Sequence, residues 1–387
     1  MNHIYAQAQF TIIGGSGDAW SGLPGVSSNP RRAQESLHLG DVKLVSIPLL
    51  KYPSLHLPWA TRAWTFQEGC LSWRRIIFYE EEVVYLCEQS CYLESIAQIP
   101  PPWPGESRNA ISDYQARGII PSVYIFSSSG ASVDDAARLV QAYSGRVLSF
   151  SEDALLACLG ILNAAKVTHY WDVPIAPSEM DPSCVLMSLC WWNTGSREQR
   201  CGFPSWSWTR WTGQKCFSMI NRQPSIQIEI QLNESRWIDV SLIDVFHGNI
   251  GDVSSGKTLR LTGTTLSPRF TVHEGRYYTT IRTTQGQELR FETFMDREDI
   301  SLDDLQDAMM IIYEDLAKTN LEGRKPKDVF LGGSALVVIP YKEAFLRIGI
   351  ADKTGHSFEE IKCSDEEGLE EGVLTLADAT RRTIYLE

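Results

Sequence analysis

The spacing of apolar positions changes along the chain, and each change marks an element. Phe10-Thr11-Ile12-Ile13 reads as a short buried strand closed by Gly14-Gly15-Ser16-Gly17. Between Arg75 and Leu86 the pattern predicts a hairpin. Its arms are Ile76-Ile77-Phe78 and Val83-Val84-Tyr85-Leu86, and its acidic tip, Glu80-Glu81-Glu82, is expected in solvent. Asp134 to Ala142 sets Ala137, Leu139 and Val140 near one helical face. A second helix is expected from Glu152 to about Ala165, capped by Ser151 and turning Leu155, Leu156, Leu159 and Leu162 inward. Pro182 to Trp192 reads as a further buried helix.

Later in the chain the period falls to two. Ile226, Ile228 and Ile230 alternate with Gln227, Glu229 and Gln231, and Leu259-Arg260-Leu261-Thr262 repeats the pattern. Tyr277 to Arg282 and Leu289 to Phe294 flank Gln285-Gly286-Gln287 as a hairpin. One helix is expected to interrupt, from about Ser301 to Lys318. Asp303 and Asp304 in its first turn and Lys318 at its end suit the helix dipole. Ala335 to Ile339, Phe345 to Ile350 and Thr383 to Leu386 read as more strands.

Composition adds a division. All twelve Trp lie at or before Trp237, and eight of nine Cys lie at or before Cys216. A packing environment therefore changes between about 217 and 240. Pro100-Pro101-Pro102-Trp103-Pro104-Gly105 removes backbone donors and fixes φ, so it reads as a linker. The expected segments are 1–99, a linker at 100–106, a helical and Trp-rich region at 107–216, and a β-rich region at 217–387.

The net charge is −13, with no clustered run of Lys and Arg, so a nucleic-acid partner is not expected. Hydrophobic residues at 43% and charged residues at 21% are ordinary for a globular chain. No apolar run approaches the length of a membrane span, and the first residues lack a secretory pattern. The expected setting is cytoplasmic, with reduced thiols.

Candidate chemistry is sparse. Gly14 to Gly17 follows a strand, but no Gly-Lys-Ser/Thr follows it and the spacing of a dinucleotide loop fails at Ala19, so it reads as a turn. Cys87-x-x-x-Cys91 lacks a second pair; Cys184, Cys190, Cys201 and Cys216 are scattered, and no metal or cofactor is expected. The seven His sit in no motif with a nucleophile. Asp365-Glu366-Glu367 and Glu370-Glu371 lack the glycine and alternation of a calcium loop.

The most specific segment is Arg62-Ala63-Trp64-Thr65-Phe66-Gln67-Glu68, followed by Leu71-Ser72-Trp73-Arg74-Arg75. It closely resembles the closing block of the fungal heterokaryon-incompatibility (HET) domain. Upstream, Ile4-Tyr5, Ala8, Thr11-Ile12-Ile13, Gly17-Asp18-Ala19 and Gly22-Leu23-Pro24-Gly25-Val26 are similar to the family's preceding segment. Downstream, Tyr143-Ser144-x-Arg146-x-Leu148, Asp153-Ala154-Leu155 and Phe203-Pro204-Ser205-Trp206-Ser207-Trp208 are similar to the region C-terminal to the domain in large members. Departures are the family's opening Leu-Ser-Tyr-x-Trp-Gly and Trp-Ile-Asp blocks, which do not occur before residue 4. The expectation is a chain that starts inside the domain, with an exposed sheet edge and reduced stability there.

The resemblance implies fungal allorecognition and programmed cell death through unidentified protein partners, without enzymatic activity. A chain left inactive for want of the domain's first half stays open. So do two alternatives: a TIR-like NAD-cleaving enzyme, for which Glu68 is the one motif carboxylate on offer, and a non-catalytic β-rich scaffold or remnant. For Arg62, Gln67 and Glu68 the bland alternative is a structural ion pair between Glu and Arg. Trp206 and Trp208, with Trp211 next, are expected on one face of an extended segment, docking the helical region on the β-rich one. The fold class expected is α+β: a partial α/β HET-domain remnant, a helical middle, and a sandwich or barrel-like β-rich part with one helix.

Overall fold

The computed structural model of the protein describes residues 2–18, 20–33, 35–45, 57–87, 91–94, 133–177, 185–195, 197–217, 225–233, 235–243, 256–284, 286, 288–313, 317–320, 329–332, 334–352, 372–373 and 376–387. The expected linker at 100–106 and the acidic cluster at 365–371 lie outside them. The α-helices among the described residues are α1 (Asn2–Gln7), α2 (Pro58–Thr61), α3 (Trp64–Leu71), α4 (Val133–Ser144) and α5 (Ala154–Ala164). Two compact units form. The first is Met1–Gly130 with Gly145–Ala165, and the second is Ala131–Ser144 with Lys166–Glu387.

In the first unit, β1 (Thr11–Gly14) runs parallel to β4 (Arg74–Phe78). Antiparallel β5 (Val83–Cys87) and β6 (Cys91–Leu93) follow, in the order β1-β4-β5-β6. The predicted hairpin is therefore present as β4 and β5, with Ile76 opposite Tyr85. Its tip departs from expectation: Glu80 is exposed, but Glu82 is buried beneath the turn. The Phe10–Ile13 run is also only partly buried. Ile13 faces the core, whereas Phe10 and Ile12 are exposed because β1 is the outer strand of the described sheet. A separate two-stranded hairpin, β2 (Ser36–Leu39) with β3 (Val42–Val45), pairs Leu37 with Leu44 and Leu39 with Val42. α3 packs on α5.

The helix expected from Glu152 begins as a 3-10 turn, Ser151–Asp153, with no side-chain cap, and continues as α5. Its buried set is Ala154, Leu155, Ala157, Cys158, Ile161 and Leu162, while Leu156 is exposed. Of the expected leucine stripe, Leu155 and Leu162 are buried and Leu159 is half-buried, and a glycine beside them lets α3 approach closely. A Cβ at Gly160 would lie 2.6 Å from Gln67 Oε1.

In the second unit, β7 (Thr168–Tyr170), β8 (Val173–Pro177) and β9 (Val185–Met187) form a three-stranded antiparallel sheet. β10 (Trp191–Thr194) pairs with β11 (Gln214–Phe217). Strands β9 and β10 replace the helix expected over 182–192; a short apolar run does not separate a buried strand from a buried helix.

The large sheet contains β12 (Gln227–Asn233), β13 (Arg236–Asp239), β14 (Leu259–Leu266), β15 (Arg269–His273), β16 (Arg276–Arg282), β17 (Glu288–Met295) and β18 (Met309–Ile312). After the short strands β19 (Ala317–Asn320) and β20 (Val329–Gly332) come β21 (Ser334–Tyr341), β22 (Ala344–Asp352), β23 (Gly372–Val373) and β24 (Thr380–Leu386). β19, β20 and β23 make a small sheet of their own. The order of the large sheet is β13-β12-β14-β18-β21-β22-β17-β16-β15, and β24 pairs with both β14 and β22. That double pairing closes β14, β18, β21, β22 and β24 into a ring, the barrel-like element of an α+β chain. Leu266, Ile281, Phe291, Met310, Val337 and Ile348 belong to its core.

The helix expected over 301–318 is a 3-10 turn, Asp303–Leu305, followed by β18 and β19. The start signal is present: Asp304 Oδ2 accepts from Ser301 N at 2.8 Å, as a helix start would have it. Met310, Ile311 and Ile312 are buried in succession, which a strand between β14 and β21 allows and a one-faced helix does not.

Candidate functional site

The closing block of the first unit is built around α3. Ala63 N donates to Val147 O at 2.9 Å and Val147 N to Thr61 O at 2.7 Å, so residues 61–63 enter the helix bound to the segment before α5. Arg146 Nη1 donates to Arg62 O at 3.2 Å, and its guanidinium lies 4.6 Å from the Phe66 ring centroid. Trp64 Nε1 reaches Asp153 Oδ2 at 3.1 Å. Gln67 is buried, and Nε2 donates to Ala157 O at 2.9 Å and Leu156 O at 3.3 Å. Carbonyls inside a helix are already hydrogen-bonded, so Gln67 clamps α5 to α3 through its backbone.

Glu68 is half-buried. Trp59 Nε1 donates to Oε2 at 2.9 Å and Tyr5 OH to Oε1 at 3.3 Å. Burial and the Glu68 carboxylate push the Tyr5 phenol up to about 12. The ion pair expected between Glu68 and Arg62 does not form; Arg62 is exposed, and two neutral donors hold the carboxylate instead. Leu71 is buried, Ser72 Oγ donates to Glu68 O at 2.6 Å, and Arg74 Nη1 reaches Gln9 O at 3.4 Å. Arg75, buried beside them, donates to Gly69 O at 2.5 Å. Cys70 is buried, and burial pushes its thiol up to about 12, so it is no thiolate nucleophile.

The upstream turn is a plain turn. Gly22 and Gly25 both have positive φ, +67° and +82°, which only glycine adopts cheaply, and Pro24 between them is buried with Leu23 half-buried. After β1, Gly15 N donates to Phe78 O at 2.9 Å, and a Cβ at Gly15 would lie 2.7 Å from the Tyr79 ring. Among the described residues, no group of three or more His, Cys, Asp or Glu could hold a metal ion.

The family model described as heterokaryon incompatibility protein (HET) matches residues 1–68. This segment belongs to the HET family. The HET match includes Gly22, Leu23, Pro24, Arg62, Trp64 and Gln67 and ends on Glu68; Leu71, Ser72 and Arg74 follow it. No curated protein and no solved structure matches the chain. No helix among the described residues is long and apolar enough to cross a membrane.

Pro204, Ser205, Trp206 and Trp208 lie far from the HET segment in sequence and entirely within the second unit. They do not form the extended segment expected. Ser207 N–H donates to Pro204 O, and Trp208–Arg210 is a 3-10 turn capped by Ser207. Trp206 stacks on Tyr170 at 5.5 Å between centroids, and its Nε1 donates to Lys257 O at 2.9 Å. Trp208 meets the Tyr143 ring of α4 edge-on at 5.8 Å and donates to Asp172 O at 2.8 Å. Ser205 N donates to Glu387 O at 3.0 Å, while its Oγ accepts from Arg347 N at 3.0 Å.

These tryptophans enclose groups that the sequence did not single out. β7 and β8 are joined by Trp171 and Asp172 alone, at φ 50° and 61°. A two-residue hairpin of this type needs positive φ at both positions and ordinarily uses Asn-Gly. Trp171 is held there by Nε1 donating to Gly256 O at 3.0 Å and by Ser207 Oγ donating to its carbonyl at 2.8 Å. Asp172 and His169 are both buried, with Nδ1 and Oδ1 3.7 Å apart. Burial lowers His169 from 6.5 to about 4, so its imidazole is neutral at pH 7, and burial raises the Asp172 carboxyl well above its ordinary range. His169 lies on a three-residue strand between Thr168 and Tyr170, and no motif in the sequence ties it to Asp172.

Proposed function

We propose that this HET-family protein acts in fungal non-self recognition and programmed cell death through contacts with other proteins, from a cytoplasmic setting. The observation that carries the reading is the HET match over residues 1–68. Two features of the same unit agree with a contact role. The closing block is devoted to holding α3 against α5, with Glu68 engaged by Tyr5 and Trp59. Large apolar side chains, among them Trp20 at 94% exposed and Trp73 at 58%, are open to solvent.

The test is inducible expression of the full chain in a fungal host. Growth arrest and loss of viability are expected, and unimpaired growth at high protein level would overturn the reading. Purified protein is expected to leave NAD intact. Release of nicotinamide that disappears in Glu68→Gln would replace a contact role with a catalytic one.

A further inference from the structure

The interior of the second unit carries more positive than negative charge. Arg200, Lys215 and Arg347 are buried, and the buried carboxylate that offsets them among neighbouring described residues is Asp296. Arg347 donates to Asp296 Oδ2 at 2.5 Å and also to Trp191 O, with its guanidinium 3.6 Å from the Trp191 ring centroid. Arg200 Nη1 donates to Trp211 O at 2.8 Å, and Lys215 Nζ donates to the same carbonyl at 2.9 Å. Two cations thus share one neutral acceptor.

Lys215 is in tension with its surroundings. Burial, and then the charge on Arg200, push its ammonium well below the usual range. Yet Nζ has three carbonyl acceptors, on Trp211, Thr212 and Gly213. An ammonium has three N–H groups and a neutral amine has two. The hydrogen bonds therefore call for the charged form that the surroundings disfavour.

Asn193 stands directly opposite Lys215 in the β10–β11 register, so both side chains share the face that carries Trp191. It is buried, and neither Nδ2 nor Oδ1 has a hydrogen-bond partner among the described residues. Arg347 Nε and Asp296 Oδ1 are unpartnered there as well. A buried amide is costly when unsatisfied, and a buried charge costs more.

We propose that this cluster is an anion site, taking one small monovalent inorganic anion of halide size between Asn193, Lys215 and Arg347. The anion accepts from Asn193 Nδ2, supplies the missing negative charge and keeps Lys215 as an ammonium. The burial of all three side chains restricts the ligand to a small one.

The test is thermal unfolding of the full chain at constant pH and ionic strength in sodium bromide, sodium chloride and sodium gluconate. Chloride and bromide are expected to raise Tm by several degrees over gluconate, with saturation, as binding to the folded state requires. General salt effects do not saturate. Asn193→Leu is expected to lose the halide dependence. Crystals of the unaltered chain grown in bromide are expected to show an anomalous peak in contact with Asn193 Nδ2, and that measurement decides if the variant does not fold. Equal Tm in the three salts with no such peak overturns the proposal, and so does a halide effect that persists in folded Asn193→Leu.

Discussion

The two units differ in how they treat large apolar side chains, although both bury some charged ones. Among the described residues, fourteen exposed large hydrophobic side chains belong to the first unit and five to the second. The fully buried tryptophans, Trp191, Trp206 and Trp208, all belong to the second, together with buried Arg347 and Lys215. The first unit thus leaves apolar surface in water while its HET block is held by side chain-to-backbone clamps. The second buries Arg347 and Lys215 around the Trp191 ring, with Asp296 beside Arg347. Exposed apolar area is available for a partner at little cost to the fold, whereas buried charge must be satisfied within the fold itself.

The largest test of the contrast is Trp206→Ala. Losing the Tyr170 stack and the bond to Lys257 O leaves a cavity in the second unit. A loss of about 3–5 kcal/mol is expected in denaturant unfolding. A variant as stable as the parent would remove these tryptophans from the core that distinguishes this unit.

The buried hairpin pair gives a pH test of intermediate size. His169 titrates at about 4 in the folded chain and near 6.5 when unfolded. Between those values the unfolded state binds the extra proton, so the His169 contribution to stability falls as pH drops through that window, by roughly 3 kcal/mol at most. Asp172 acts in the opposite sense: the folded state retains its proton, so its contribution falls as pH rises above the ordinary carboxylate range. Asp172→Asn keeps the shape, suits the positive φ and carries no charge. At pH 7 it is expected to raise stability by about 1–2 kcal/mol. Destabilisation there would show that the pair is ionised.

The smallest stability effect belongs to the first unit. Trp20→Ser and Trp73→Ser are expected to change unfolding free energy by less than about 0.5 kcal/mol, because neither ring is packed inside. The same substitutions are expected to weaken growth arrest in the fungal host. A large loss of stability would assign these rings to the fold, and unchanged toxicity would move the contact surface elsewhere.

Much of the β-rich part was legible from alternation. Gln227–Asn233, Leu259–Leu266 and the hairpin of Arg276–Arg282 with Glu288–Met295 sit where the period of two placed them. The expected helices over 182–192 and 301–318 failed for a common reason. A short apolar run does not reveal whether its neighbour in space is a strand or a helix. The HET block was legible as a motif, but its bonds were not. Glu68 pairs with Tyr5 and Trp59, and the arginine that supports the block, Arg146, is 84 residues from Arg62.

The sequence by itself determined the HET segment, the α+β class and most strand positions, because these rest on local spacing and on which side chains alternate. Only the tertiary structure decided which charged residues go inside. Glu82 lies in an acidic turn run, and Arg347 and Lys215 lie on strands, places where a charge is ordinarily expected in solvent. A shift in register between β21 and β22, at Val337 and Val338, leaves Arg347 and the adjacent Ile348 both buried. A bulge of this kind turns one side chain to the other face of its strand. Asp296, Trp191 and Asn193 are distant in sequence from Arg347 and Lys215, and burial of these charges depends on where those partners arrive in space.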